Sequence, residues 1–168
     1  MITLSPVSDS AALRKAFAAF PSGIAAVCAH VDGQPAGVAA SSFTSVSLDP
    51  PLVSVCMQHT STTWPILRKC NRLGLSVLAE GHDEACLQLA SKDGDRFAGI
   101  EWDRSPHDSV FIGSSTAWFE VSLFDEVMAG DHVIALLEVH GMEIFTENAP
   151  LIFHHSKFHK LAPTQPKS

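Results

Sequence analysis

Residues 37–57 read GVAASSFTSVSLDPPLVSVCM. Up to Ser45 the run is small or hydroxylated apart from Val38 and a single Phe43, and it leads into an apolar run at 52–57. A hydrophobic core does not require that composition. A loop over 37–47 whose backbone touches a flat ligand does, because side chains this small let peptide N–H and C=O groups reach the edge of a ring. Ala39, Ala40, Ser41 and Ser42 meet the requirement, and the hydroxyls of Ser41, Ser42 and Ser45 add adjustable partners. An ordinary Ser/Thr-rich connection has the same composition, so both readings stand at this point.

The flanks read mostly as strands. Upstream, IAAVCAHV (24–31), Asp32-Gly33 and a returning run from Pro35 have the pattern of a hairpin with a tight turn. Downstream, Asp49-Pro50-Pro51 separates SVSL (45–48) from LVSVCM (52–57), a strand apolar on both faces. LGLSVLA (73–79) is a further strand, and AWFEVSLFDEVMA (117–129), a Gly130-Asp131 turn and HVIALLEVHGMEIF (132–145) make a long hairpin. Residues 150–161 give a last short strand and turn. Helices are expected at 8–20, 60–70 and 82–91, from hydroxyl or Asp starts followed by apolar residues at helical spacing. Residues 92–109 are polar and turn-rich and read as a surface excursion; 162–168 read as a disordered tail. Six or seven sequential antiparallel strands with a few short helices close into a barrel or a Greek-key sandwich. Strands and helices do not alternate and no G-x-G-x-x-G is present, which argues against a doubly wound sheet.

The 168 residues are one domain's worth, 46% of them hydrophobic. A mean hydropathy of +0.16 is high for a small monomer and points to a further buried surface such as a dimer interface. Net charge is −7, with no Lys/Arg run longer than a pair, so no nucleic-acid footprint is present. No apolar run approaches the roughly 18 residues of a membrane span, and a secretory leader is not expected. Cys28, Cys56, Cys70 and Cys86 include no Cys-x-x-Cys pair and sit in apolar settings, which reads as reduced thiols in a cytoplasmic protein.

Three further clusters bear on chemistry. In HTSTTWP (59–65), successive hydroxyls stand before a Pro-started helix, whose free N–H groups suit a phosphate; plain N-capping explains them equally. His132 opens a strand after a tight turn, at a barrel rim or simply in a surface turn. His154 and His155, adjacent on a strand, point to opposite faces, so no metal site is expected. There is no G-x-S-x-G and no P-loop. Asp125, Glu126 and Glu138 read as solvated strand residues, and His30, His82, His107 and His140 have no assigned role.

Together these residues resemble the flavin reductase-like family, whose best-known members are the small NAD(P)H:flavin oxidoreductase components of two-component flavin-dependent monooxygenases. The likeness is carried by LRKAFAAFPSGIAAV, GVAASSFTSVSLDPPLVSVCM, AGDHVIALLEV and APLIFHHSKFHKL, in the family's order, from about residue 11 to 161. The resemblance implies a single domain over 1–161: a mainly β, antiparallel split β-barrel of the Greek-key, FMN-binding type that forms a homodimer. It implies FMN or FAD as flavin and NADH or NADPH as hydride donor, with reduced flavin passing to a separate monooxygenase. By position, Ala39, Ala40, Ser41, Ser42, Phe43, Thr44 and Ser45 would cradle the isoalloxazine. Cys56 and Met57 would follow the ring toward the ribityl chain, and Ser61, Thr62 and Thr63 would take the phosphate. His132 would stand near nicotinamide and flavin as a polar orienter, and Lys157, Phe158 and His159 would line the same pocket. Ala39 stands where family members often have Thr, and Phe158 where they often have Tyr, so two hydroxyls are missing from the implied pocket.

The reaction so implied is hydride transfer from nicotinamide C4 to flavin N5, in which the protein stacks and orients the two rings. A flavin carrier of the same fold, an oxidoreductase that retains its flavin, and a histidine metal-binding protein are the rival readings.

Overall fold

The computed structural model describes residues 1–4, 6–7 and 9–162, so nearly all of the expected tail at 162–168 lies outside the described residues. Asp9 caps α1 (Ser10–Phe17) by accepting a hydrogen bond from the Ala12 amide at 2.7 Å. The helix is shorter than its periodicity predicts and buries no residue, leaving Phe17 and Phe20 exposed.

β1 (Ser22–Gly23) leads into the hairpin of β2 (Ala25–Val31) and β3 (Gln34–Ala40). Its turn residues Asp32 and Gly33 have φ of 51° and 85°, as a two-residue turn matched to strand twist requires. β4 (Thr44–Leu48) and β5 (Pro51–Gln58) form a second hairpin around the cis Asp49–Pro50 bond. The loop expected at 37–47 is therefore mostly two strand ends, with only residues 41–43 outside β structure. Small residues at 37–40 are compatible with a strand because β3 is an edge strand laddered to β2 alone and closely covered, Gly37 leaving room for Cys28 and Phe97.

The helix expected at 60–70 contracts to one turn, α2 (Trp64–Leu67), after a string of turns at 59–63. There follow β6 (Leu73–Val77), α3 (Asp83–Ala90), the short pair β7 (Trp102–Arg104) and β8 (Val110–Ile112), the long pair β9 (Ala117–Ala129) and β10 (His132–Ile144), and finally β11 (Ile152–His154) and β12 (Lys157–His159). β1, β11 and β12 make a small separate sheet. None of the helices among the described residues is long and apolar enough to cross a membrane.

Seven strands form one antiparallel sheet in the order β3-β2-β6-β9-β10-β5-β4. Its two edges, β3 and β4, are consecutive in the chain and joined only by residues 41–43. A flat seven-stranded sheet could not have its edges joined by so short a link, so the sheet is rolled into a barrel. No ladder pairs β3 with β4 or β5, so the barrel stays split along that seam.

β2 shows why the chain needs two cores. Ala25, Val27 and Ala29 face the barrel interior with Val55, Leu67, Leu75, Val121 and Leu137. Ala26 and Cys28, on its other face, pack with Leu89, Phe97, Val110 and Ile112. The 92–109 stretch is accordingly more than a surface excursion: Phe97 and the β7–β8 pair cover the outer face of the barrel. β8 crosses so close to β6 that a Cβ on Gly74 would lie 2.1 Å from the Val110 carbonyl oxygen. Since both partners are backbone, Gly74→Ala is expected to cost about 3 kcal/mol of stability, read as a lower urea midpoint at unchanged slope.

Candidate functional site

Thr44 pairs with Ser54, so a continued β4–β5 ladder would set residue 42 opposite Cys56. The ladder stops first, and the Ser42 side chain takes its place. Its Oγ accepts from the Cys56 amide at 2.8 Å and donates to the Cys56 carbonyl at 3.4 Å. Beyond this latch the strands diverge and leave a cavity of about 550 Å³ along the seam.

One wall is the end of β3 and the link after it: Val38, Ala39, Ala40, Ser41 and Ser42. The opposite wall is Cys56, Met57 and Gln58 of β5. Thr60, Ser61 and Thr62 close one side, and Leu89, Ala90, Lys92 and Arg96 overhang from α3 and the segment after it. His132, at the start of β10, completes the lining because its strand pairs with Gln58. Its side chain is 33% exposed, and its Nδ1 lies 2.7 Å from the Asp131 carboxylate. A carboxylate accepts, so Nδ1 carries the proton and Nε2 is left available. The hydrogen bond and charge of His132 hold the Asp131 carboxyl below its ordinary range. With a depressed folded value, that contribution is present at neutral pH and is lost as pH falls through the folded value.

Not every residue singled out in the sequence meets at this cavity. Phe43 turns into the barrel core and stacks against Phe119, with ring centroids 6.3 Å apart. Thr44 and Ser45 lie on the exposed edge strand, outside the lining. Thr63 is buried at 8% exposure and accepts a hydrogen bond from Arg96. Lys157, Phe158 and His159 stand on β12 in the small sheet, where Phe158 packs beside Phe153 against the outer core. His159 Nε2 lies 3.2 Å from the His154 carbonyl oxygen.

Lys92 and Arg96 went unread because SKDGDRFAG is polar and rich in turns. The available signal was Phe97: an aromatic beside an arginine inside such a stretch needs somewhere to bury, and it is only 7% exposed. Gly37 provides the space, since a Cβ there would lie 3.0 Å from the Phe97 ring. Glu126, read as solvated, anchors α2 to β9: it accepts from Trp64 Nε1 at 2.8 Å and pairs with Arg68. His154 and His155 do not point apart, because the strand ends at His154 and His155 enters a left-handed turn, bringing the rings within 4.0 Å. Among the described residues no group of three or more His, Cys, Asp or Glu side chains could hold a metal ion. The four cysteines are free; burial keeps Cys28 protonated and pushes the Cys86 thiol up to about 11.

The sequence pattern of the Flavin reductase like domain matches residues 17–162. The chain belongs to the flavin reductase-like family. It is 36% identical over 152 residues to the actinorhodin polyketide dimerase of Streptomyces coelicolor, covering 90% of this chain and 86% of that one. It is 33% identical over 155 residues to the flavin-dependent monooxygenase reductase subunit HsaB of Rhodococcus jostii, covering 92% and 80%. The NADH:FAD oxidoreductase SgcE6 of Streptomyces globisporus C-1027, solved with NAD and FAD fragments, superposes with a TM-score of 0.90 at 29% identity, covering 96% of this chain and 98% of that one. Among the described residues of this flavin reductase-like chain, the seam latch rests on one hydroxyl. Ser42→Ala strands the Cys56 amide and is expected to lower stability by about 2 kcal/mol, measured by denaturant unfolding without ligand.

Proposed function

We propose that this protein uses a reduced nicotinamide nucleotide to reduce FMN or FAD and supplies the reduced flavin to a separate flavin-dependent monooxygenase. The observation that carries the reading is the seam cavity, whose lining combines one wall of small residues with the 60–62 hydroxyls and two cations, Lys92 and Arg96. Its volume suits a ligand of nucleotide size. A flavin bound there would supply the redox chemistry, accepting a hydride at N5.

The chain's own residues supply position. Val38 to Ser41 present backbone and little bulk, so a flat ring can lie against peptide groups. The one-turn helix α2 is too short to contribute a strong dipole, and Ser61 Oγ is already engaged by the Trp64 amide at 3.1 Å. The positive charge for a phosphate therefore comes from Arg96 and Lys92, with the Thr62 hydroxyl, which bonds no protein group among the described residues. His132 places Nε2 as a polar contact at the rim, with its tautomer set by Asp131.

The family assignment supports the reading, as do the names of relatives: a monooxygenase reductase subunit and an NADH:FAD oxidoreductase. Four unpaired thiols suit a reducing, cytoplasmic setting. Exposed Phe124, Val127, Met128, Met142 and Ile144 on the β9–β10 hairpin favour a homodimer.

The test is aerobic oxidation of NADH and NADPH, followed by loss of their absorbance, with FMN, FAD or riboflavin added in excess. Turnover that rises with added flavin is the expected result, and the pair giving the highest rate identifies the two nucleotides. A colourless protein that neither binds flavin nor oxidises either nucleotide would overturn the proposal. Sedimentation is expected to report twice the 18.0 kDa chain mass.

A further inference from the structure

Thr63 is the one hydroxyl of the 60–63 run that is buried and outside the cavity lining, and it is the one that touches Arg96. Arg96 Nη1 donates to Thr63 Oγ1 at 2.6 Å and to the Gly37 carbonyl at 3.2 Å. A guanidinium has five N–H groups in one rigid plane, and Nη1 accounts for two of them. Both are engaged here, by acceptors on two different elements. Two such bonds from one nitrogen fix the plane of the whole group.

The opposite edge, Nε and Nη2, has no protein acceptor among the described residues, and no carboxylate there lies within ion-pairing distance of Arg96. That edge offers two parallel N–H groups at the spacing of two phosphate oxygens. Arg96 also borders a second cavity of about 380 Å³ beside Gln34, Pro35 and Gly94. Only the seam cavity combines it with Lys92 and the Ser61 and Thr62 hydroxyls.

We propose that Thr63 is a positioning residue: together with the Gly37 carbonyl it locks Arg96 so that the free guanidinium edge receives the phosphate of the flavin nucleotide. Thr63 itself does not touch the ligand, which reassigns it from the phosphate contacts that the resemblance implies. The inference rests on the flavin reading of the cavity.

The experiment compares binding of FMN and riboflavin to the full chain by quenching of flavin fluorescence, since the two share a ring and differ in the phosphate. The unaltered protein is expected to prefer FMN. Thr63→Val is expected to raise the Kd for FMN about tenfold while leaving riboflavin within about twofold. Thr63→Ser, which keeps the hydroxyl, is expected to retain the preference, and Arg96→Gln to abolish it. Equal losses for both flavins in Thr63→Val would reduce Thr63 to a packing role and overturn the inference. So would loss of preference in Thr63→Ser, no change in Thr63→Val, or a preference that survives Arg96→Gln. An unaltered protein that binds neither flavin sinks the functional reading itself, whereas one that binds both equally sinks only this inference.

Discussion

The three-residue link between β3 and β4 is the constraint on which the architecture depends. It joins the first and last strands of a seven-stranded sheet, so the sheet must close on itself. Each intervening strand is held to its neighbours by a ladder, but the closure is not. Ser42 replaces one backbone pair with one side chain, and the strands then splay. A rolled sheet that fails to pair its edges must leave a groove along them, and here the groove has the small residues of one edge on its wall.

Charge reaches that groove from elsewhere. The barrel walls around it are neutral, and both cations come from the segment after α3. That segment is placed by hydrophobic packing: Leu89 and Phe97 bury in the outer core against β2, whose alternate residues serve the barrel interior. The outer core therefore has a functional effect as well as a stabilising one, since the position of Arg96 follows from the burial of Phe97. On the far side, Trp64 and Arg68 converge on Glu126 and hold α2, and with it the 60–63 hydroxyls, against β9.

Much of this was legible in the sequence. The Asp32-Gly33 and Gly130-Asp131 turns located two hairpins, and the long alternating runs at 117–129 and 132–145 became β9 and β10 over almost the same residues. The lining residues Ala39 to Ser42, Ser61 and Thr62 come from segments whose composition marked them, His132 from its place after a tight turn, and Cys56 and Met57 from the resemblance alone. What escaped reading depends on tertiary geometry. Small residues at 37–40 read as loop because composition does not distinguish a backbone that faces a ligand from an edge strand that other elements cover closely. Glu126 read as solvated and Arg96 went unread because charge carries no record of the partner it meets across the fold. Phe43, placed by resemblance beside a ligand, packs on Phe119 against the barrel core and lies outside the cavity lining.

The Ser42 latch also sets where the barrel is mechanically weakest. Separating any two laddered strands breaks several backbone bonds together, whereas the seam between β3 and β5 is spanned by side chains, Ser42 on Cys56 and Arg96 joining the Gly37 carbonyl to Thr63. Those contacts are worth about 1–3 kcal/mol each. The cheapest breathing motion of the scaffold thus widens the cavity itself, and a nucleotide lying along the seam has an exit that leaves every ladder intact.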